Sequence, residues 1–579
     1  MPVRQLLPWL VPALLAAPLA AGEAAPAPAP PAPAVVAKDP VLSPFGIGSS
    51  AMRSKDHPKW MPQMAEIGVR DLRACTGGWA AQPEAGTWDW SIIDARLDYL
   101  DSIGVSSGII FNGLPKWNTV DEKGGLPLKG IDAWSAMVGA VVKHTTGRVK
   151  HFECWNEPPN GTKNAPASDY AKVVMATYVA AKAANPDALV GMAAKSAHIN
   201  YLDQAVKAGA KGHYDYITLH PYELLGTVIN HPGTEPLFLS IVPTLRKMLR
   251  AQDPAKAEVP VILTEVGYDV KHGKHGLSGV ELQAHAVVKV YVMGMAQGMA
   301  CIQWFEGMDG DSGPLGLLDN KGAKRPSYHA LANLIRHLGR HPQYLGWVML
   351  NDRHYAFAFQ GAAGTVLATW AATLKPEDVD FGQEVQIVDP PTGEVRTSSK
   401  TSLGIAPILV VGVPERLVAQ AKANRGRPVP WGGDFTAASA VSVSFGETYE
   451  EKGLHTMAAD AIAADIVAYG GNARAGEVPK GGNVYVVDPG FLSYDTVPIE
   501  ITALVKRNAG KGKPVLALEY ESTSGYRKPA PFDIPEDATQ WHKATWRIDD
   551  CQFVNTWAFS FRFAGGPYAL QSVTVTKLK

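Results

Sequence analysis

The sequence predicts an α/β chain in which a (β/α)8 TIM barrel is followed by two all-β units of the sandwich or jelly-roll kind. Three observations predict it. From Ser43 to Gly339 short apolar runs rich in β-formers alternate with longer runs of helical period, the pattern of a parallel sheet covered by helices. Beyond Gly339 strand-like alternation takes over, in two stretches separated by a polar segment. The length, 579 residues, exceeds what one hydrophobic core holds, whereas a barrel uses roughly 250 residues as one unit.

Residues 1–24 combine a basic start at Arg4, the apolar run from Leu6 to Ala21 and small residues near Ala20–Ala24, the composition of a cleavable secretory signal. Pro8, Pro12 and Pro18 argue against a spanning helix in that run. The expectation is export, to the periplasm or the medium, with no membrane attachment after cleavage. Residues 25–42, with APAPAPPAPA at their start, read as an extended Pro/Ala linker.

Within the barrel, 43–339, eight strands are expected: Phe45–Ser49, Val69–Cys75, Ser106–Asn112, Lys150–Glu157, Leu189–Lys195, Tyr216–Tyr222, Val261–Gly267 and Ala300–Glu306. Helical candidates lie between them. Ser91–Gly104 carries Ile92, Ile93, Leu97, Leu100 and Ile103 at helical spacing, with Gly104 at a C-cap position. Ser168–Pro186 is another, with Ser168 or Asp169 as its cap. No GxGxxG or GxxxxGK[ST] opens a unit, so a doubly wound nucleotide-binding sheet is disfavoured.

The segment 340–418 reads as a small β-sandwich, with strands at Trp347–Gln360, Thr365–Ala372, Glu384–Ser398 and Ala406–Val413 and a turn at PPTG. Residues 419–433 read as a linker, and 434–579 as a second sandwich or jelly roll.

Composition excludes several classes of function. Lys and Arg number 54 against 55 Asp and Glu, so no basic field exists to hold a nucleic acid. With 46% hydrophobic and 19% charged residues the chain is not intrinsically disordered as a whole. Of the four cysteines, Cys75, Cys154 and Cys301 fall in apolar strand-like runs and no CxxC occurs, which favours buried free thiols over disulfides or metal ligation.

The chemistry is concentrated at the C-terminal ends of the expected barrel strands, where such folds build active sites. Strand four ends in Trp155-Asn156-Glu157-Pro158 and strand seven in Thr264-Glu265-Val266-Gly267. Two carboxyls facing each other across a barrel mouth are what glycoside hydrolysis needs. One donates a proton to the leaving oxygen while the other attacks or stabilises the anomeric carbon.

VKHFECWNEPPN and VPVILTEVGYD resemble the strand-four and strand-seven motifs of the clan A glycoside hydrolases, which are retaining (β/α)8 enzymes. Within the clan, YDYITLHPY and GLLDNKGAKRPSYHAL are similar to segments of family 39 and of family 5-like enzymes. The resemblance covers Ser43–Gly339. It implies Glu157 as general acid/base, Asn156 as the ligand of the sugar 2-hydroxyl, Glu265 as nucleophile and Trp304 as the aromatic floor of the cleaved-sugar subsite. It further implies a poly- or oligosaccharide partner and needs no metal or organic cofactor.

Other residues are weighed for support. His220 and Tyr222, by resemblance, would bond Glu265 or the substrate. Arg73, ending strand two, would favour the charged form of Glu265 by charge and hydrogen bonding. Asn112, closing strand three, is a candidate for meeting a sugar hydroxyl. The mechanism predicts a raised pKa for Glu157 through burial and the neighbouring Glu265 charge.

Rival readings exist for several groups. Glu153 shares a strand face with Glu157 but lies deeper, which suits a hydrogen-bonded interior group. Glu306, Asp309 and Asp311 lack a full calcium-loop pattern. His272 and His275 lie in a Gly-rich loop and read as loop residues rather than ligands. Trp79, Trp88, Trp90 and Trp117 are candidates for a distal subsite, and the last β unit resembles jelly-roll carbohydrate-binding modules. The alternative for the whole is a catalytically silent carbohydrate-binding scaffold, a class in which one glutamate is commonly lost.

Overall fold

The computed structural model describes Lys38 and residues 41–50, 54–74, 81–445, 449–456, 483–507, 513–537 and 539–579, with short backbone pieces at 467–468, 471–472 and 474–475. The expected signal, nearly all of the Pro/Ala linker, Cys75 and Trp79 lie outside the described residues.

Eight parallel strands close into a barrel. They are β1 (Phe45–Ser49), β2 (Asp71–Ala74), β3 (Ser106–Phe111), β4 (His151–Cys154), β5 (Leu189–Lys195), β6 (Tyr216–His220), β7 (Val261–Val266) and β8 (Cys301–Trp304). Closure is direct, since β1 pairs with β2 on one side and with β8 on the other. These strands are buried on both faces, so they read as near-continuous apolar runs. The barrel interior is filled by large side chains that need room. A Cβ at Gly191 would stand 2.4 Å from the Tyr216 ring, so glycine on β5 is what admits that tyrosine.

The outer layer is α1 (His57–Glu66), α2 (Ser91–Ser102), α3 (Ile131–His144), α4 (Ala167–Ala184), α5 (Ile199–Ala205), α6 (Tyr222–Asn230), α7 (Glu235–Leu239), α8 (Ile241–Gln252), α9 (Gly279–Ala296) and α10 (Pro326–Leu338). Helix α2 ends as expected, with Gly104 at φ +66 just beyond it. Helix α4 starts differently from the expectation. Pro166 occupies the N-cap and no side chain caps the first turn, so Asp169 sits inside that turn, where it favours the helix dipole and pairs with Lys172 at 2.8 Å. Helix α9 carries a full capping box between Ser278 and Glu281. Among the described residues no helix is long and apolar enough to cross a membrane.

After α10 comes an antiparallel sheet of β9 (Gln343–Leu350), β10 (His354–Gly361), β11 (Gly364–Trp370), β12 (Glu377–Val388), β13 (Val395–Leu403) and β14 (Ile408–Val411), in the order β13-β12-β14-β11-β10-β9. The run expected as one strand, Trp347–Gln360, is a hairpin. Asn351 and Asp352 take left-handed backbone at its turn, a conformation these residues tolerate better than most. The PPTG turn is present between β12 and β13. One face of the sheet, with Tyr355, Phe357 and Trp370, joins the barrel's own core. The opposite face, with Ala356, Phe381 and Val410, is covered by α11 (Glu415–Asn424) through Leu417, Val418 and Ala421. The layer opposite this sheet is therefore supplied by the barrel.

The stretch 419–433 thus begins inside α11 instead of being wholly a linker, because buried Val418 and Ala421 share its helical face. Beyond the helix it is anchored. Trp347 Nε1 donates to the Arg427 carbonyl, and Trp431 stacks on His455 with centroids 3.7 Å apart.

The last unit has two six-stranded sheets. One is built around Ala440–Ser444, Ile499–Arg507, His542–Ile548 and Tyr568–Lys577, the other around Asn483–Val487, Val515–Ser522 and Phe561–Gly566. Their inward residues, among them Val443, Ile501, Leu518, Phe561 and Val573, form one core. Cys154, Cys301 and Cys551 are buried free thiols, and burial pushes the Cys154 thiol up to about 12.

Candidate active site

The C-terminal ends of β2, β4, β5, β6 and β7 converge on two carboxyl groups. Glu153, on β4, points into the barrel, where it is 4% exposed and accepts hydrogen bonds from Arg73 Nε (2.7 Å), Thr218 Oγ1 (2.7 Å) and Thr264 Oγ1 (2.9 Å). Burial alone would raise its pKa, but the Arg73 charge, with His220 and these donors, holds it below the usual value. It serves as the floor on which Arg73 is fixed.

Arg73 spreads its guanidinium over three acceptors. Besides Glu153 it donates to Glu265 Oε1 (2.5 Å) and to Asn156 Oδ1 (2.9 Å). Glu265 also accepts from the Tyr222 hydroxyl at 3.0 Å. Burial, then the Glu265 charge, drives the Tyr222 pKa well above its ordinary value, so the hydroxyl stays a donor. Asn156, its oxygen taken by Arg73, keeps its amide N–H groups for another partner.

Glu157 follows the end of β4 on a tight turn, with left-handed backbone at both Trp155 and Glu157. Its Oε1 meets two groups, Lys195 Nζ at 2.8 Å and His220 Nδ1 at 2.9 Å. His220 is 1% exposed, and its Nε2 lies 2.9 Å from Thr264 Oγ1. Thr264 spends its one hydroxyl proton on Glu153, so it accepts from His220 Nε2–H. The 2.9 Å contact on the other side of the ring therefore holds one proton shared by His220 Nδ1 and Glu157.

The direction of the Glu157 shift is opposite to the expectation. Burial raises the pKa, but the hydrogen bond and charge of His220, followed by Lys195, outweigh it and bring Glu157 down to about 2. The sequence reading weighed the neighbouring Glu265 charge and missed Lys195. Its only signal was a lone cation as the last residue of a predicted barrel strand. Lys195 also lies over the Tyr222 ring, 5.4 Å from its centroid, so the cation bridges the surroundings of both carboxyls.

One oxygen each from Glu157 and Glu265 and a ring nitrogen of His220 lie within 4.8 Å of one another. Such a trio can hold a metal ion, yet here the positive charges of Arg73 and Lys195 already occupy its outer sides. That donor environment suits a pair of reacting carboxyls better than a cation site.

Arg73, Asn156, Glu157, His220, Tyr222 and Glu265 are thus brought together. Two expected members are not. Trp304 is wholly buried, with its indole N–H donating to the Leu315 carbonyl at 3.0 Å, so it packs the barrel and offers no face to a sugar. Asn112 is half-buried at the end of β3, and none of the hydrogen bonds described around the two carboxyls includes it.

The rival groups have other employment. Asp309 forms a two-pronged ion pair with Arg325 (2.7 and 2.6 Å). Glu306 is fully buried and pushed up to about 7 by burial, against the opposing bonds from Ser50. His275 is bonded to the Asn230 carbonyl. His272 lines a cavity of about 510 Å³ that opens beside Tyr222, together with Asn230, His231, Tyr268 and Lys274. Trp88 stacks on Trp90, which stacks on His144 of α3, and Trp117 donates to the Gln82 carbonyl.

No family model and no curated protein matches the sequence. Solved structures do match in fold. A family 39 glycoside hydrolase from the gut symbiont Bacteroides cellulosilyticus WH2 aligns with a TM-score of 0.54 at 18% identity, over 64% of this chain and 80% of that one. The catalytic domain of GH30 xylanase C from Talaromyces cellulolyticus aligns at 0.44 and 13% identity, over 65% and 98%. The exo-β-1,4-mannosidase Op5Man5 from Opitutaceae bacterium strain TAV5 aligns at 0.40 and 16% identity, over 51% and 59%. The first of these carries the argument. It shows that the chain shares its fold with a clan A glycoside hydrolase, the group that the strand-four and strand-seven motifs resemble.

Proposed function

We propose that this chain is an exported retaining glycoside hydrolase acting on a poly- or oligosaccharide by double displacement. The observation that carries the reading is the placement of Glu157 and Glu265, from opposite sides of the barrel mouth, with oxygens inside a 4.8 Å group. Retaining enzymes hold their carboxyls about 5–5.5 Å apart, whereas inverting ones leave about 6.5–9.5 Å for a water.

In the first step a Glu265 oxygen bonds to the anomeric carbon as the bond to the leaving oxygen breaks and Glu157 protonates that oxygen. Arg73 and Tyr222 orient Glu265, and the amide of Asn156 is free to bond the neighbouring sugar hydroxyl. The donated proton is the one held between His220 Nδ1 and Glu157. In the second step water attacks the anomeric carbon, Glu157 accepts its proton, and the ester to Glu265 breaks. Export rests on the composition of residues 1–24.

Incubation with a panel of 2-fluoroglycosides, followed by peptide mass spectrometry, tests the reading. A covalent sugar on Glu265 supports it. A protein that binds glycan while no panel member labels it and no glycoside is cleaved is a binding scaffold instead.

A further inference from the structure

The C-terminal β unit meets the barrel at the corner next to Glu157. Ser196, the residue after Lys195, is fully buried and has left-handed backbone at φ +52. That conformation costs a non-glycine residue about 1 kcal/mol or more unless its surroundings hold it. Besides the turn closed by His198 N–H on the Lys195 carbonyl (3.2 Å), three bonds tie this corner to its surroundings. Lys195 N–H donates to the Pro158 carbonyl (2.9 Å), His220 N–H donates to the Ser196 carbonyl (3.3 Å), and Ser196 Oγ donates to the Thr556 carbonyl (2.5 Å). The first two come from the barrel. The third comes from a segment 360 residues away in sequence.

That segment is itself rigidly backed. The buried carboxyl of Glu521, which burial pushes up to about 7 against these bonds, accepts the N–H groups of Val554 (2.8 Å), Asn555 (2.7 Å) and Thr556 (3.0 Å). Val554 and Ala558 belong to the barrel's hydrophobic core, and the Trp557 ring meets His198 with centroids 6.1 Å apart. Farther from the site, Asn200 donates to the Ser522 and Gln552 carbonyls, both at 3.1 Å.

We propose that the C-terminal β unit is a working part of the site: its segment Val554–Ala558, acting through Ser196, holds Lys195 against Glu157. Ser196 is then a positioning residue, and a unit that resembles a detachable carbohydrate-binding module sets the charge on the acid/base carboxyl. The inference rests on the proposed role of Glu157 for its catalytic meaning, while its test needs no substrate.

The test is an infrared titration of the carboxyl band in full-length protein labelled with 13C-glutamate, with Glu157→Gln subtracted to isolate the Glu157 signal. Lys195→Met gives the full effect of losing the cation. Ser196→Ala is expected to move the Glu157 midpoint upward in the same direction by about half a pH unit or more. Glu521→Gln, which loosens the segment from the C-terminal side, is expected to repeat that shift. Asn200→Ala removes two bonds of the same interface away from Lys195, and it is expected to lower the melting temperature while leaving the midpoint in place. An unmoved midpoint in Ser196→Ala overturns the proposal, as does an equal movement in Asn200→Ala. Failure to find any hydrolysed or labelling glycoside counts against the proposed activity alone.

Discussion

The Lys195 ammonium and the Glu157 carboxylate form a 2.8 Å ion pair on the same oxygen that faces His220 Nδ1. The pair stands at the mouth of the barrel, 21% and 19% exposed, dry enough for the charge to count and open enough for a substrate to reach it. The carboxyl proposed to give up a proton is here favoured in its charged form by two neighbours.

Replacing Lys195 by Met removes one of the two groups that depress Glu157. The limb of the pH–rate profile that reports protonated Glu157 is expected to move to higher pH, by about one unit. A profile measured on an aryl glycoside checks this, and an unmoved limb shows that Lys195 does not govern the acid.

Glu157→Gln and Glu265→Gln should differ in a diagnostic way. Loss of the nucleophile abolishes turnover on every glycoside, on the order of a thousandfold or more. Loss of the acid falls hardest on poor leaving groups and spares activated aryl glycosides. Equal loss on both substrate types in Glu157→Gln contradicts its role as proton donor.

The same carboxyl links stability to pH. Its folded pKa, about 2, lies below the ordinary 4.5, so the stabilisation is fully present above about pH 4.5 and is lost as pH falls from there through 2. Melting temperatures of the wild type and Glu157→Gln, followed from pH 6 downward, are expected to converge as the acid range is entered. The size of the effect is on the order of 2–3 kcal/mol. A constant difference across that window refutes the linkage.

Trp304→Phe tests the reassignment of that residue. A buried indole whose N–H satisfies the Leu315 carbonyl contributes to folding, so the variant should lose about 1–3 kcal/mol in a denaturant melt while KM changes less than about threefold. A large rise in KM at unchanged stability restores a sugar-stacking role.

Glu235 and Lys289 form a fully buried ion pair at 2.9 Å, and Trp370 of the middle sheet donates to the same Glu235 oxygen at 2.8 Å. Lys289→Met leaves the Glu235 charge without its cation in a dry interior, at an expected cost of about 3–5 kcal/mol. Urea unfolding of Lys289→Met and of the double variant Lys289→Met/Glu235→Gln reads the coupling, and the double variant should be the more stable of the two.

Much of the barrel was legible because its strands are buried on both faces and so appear as unbroken apolar runs. β1 and β5 occupy the very residues expected, and the ends of β4 and β7 carry the two glutamates. Contacts made across the barrel had no local signature. Arg73 and Tyr222 were found through their place at strand ends, but a lysine ending a strand reads like any surface cation until Glu157 is seen beside it. The aromatic at the end of β8 read as a platform, since its cover by the Leu315 loop depends on tertiary packing. The hairpin in 347–360 was hidden because Asn351-Asp352 lacks the glycine that usually announces such a turn.

The hydrophobic core of the barrel includes Phe357 and Trp370 from the middle sheet and Val486, Tyr494, Val554 and Ala558 from the last unit. Heat is therefore expected to melt the barrel together with the faces of the two β units that share its core. A calorimeter should record a single endotherm for the chain, and a fragment cut after Gly339 should expose oily surface and aggregate rather than refold as a trimmed enzyme.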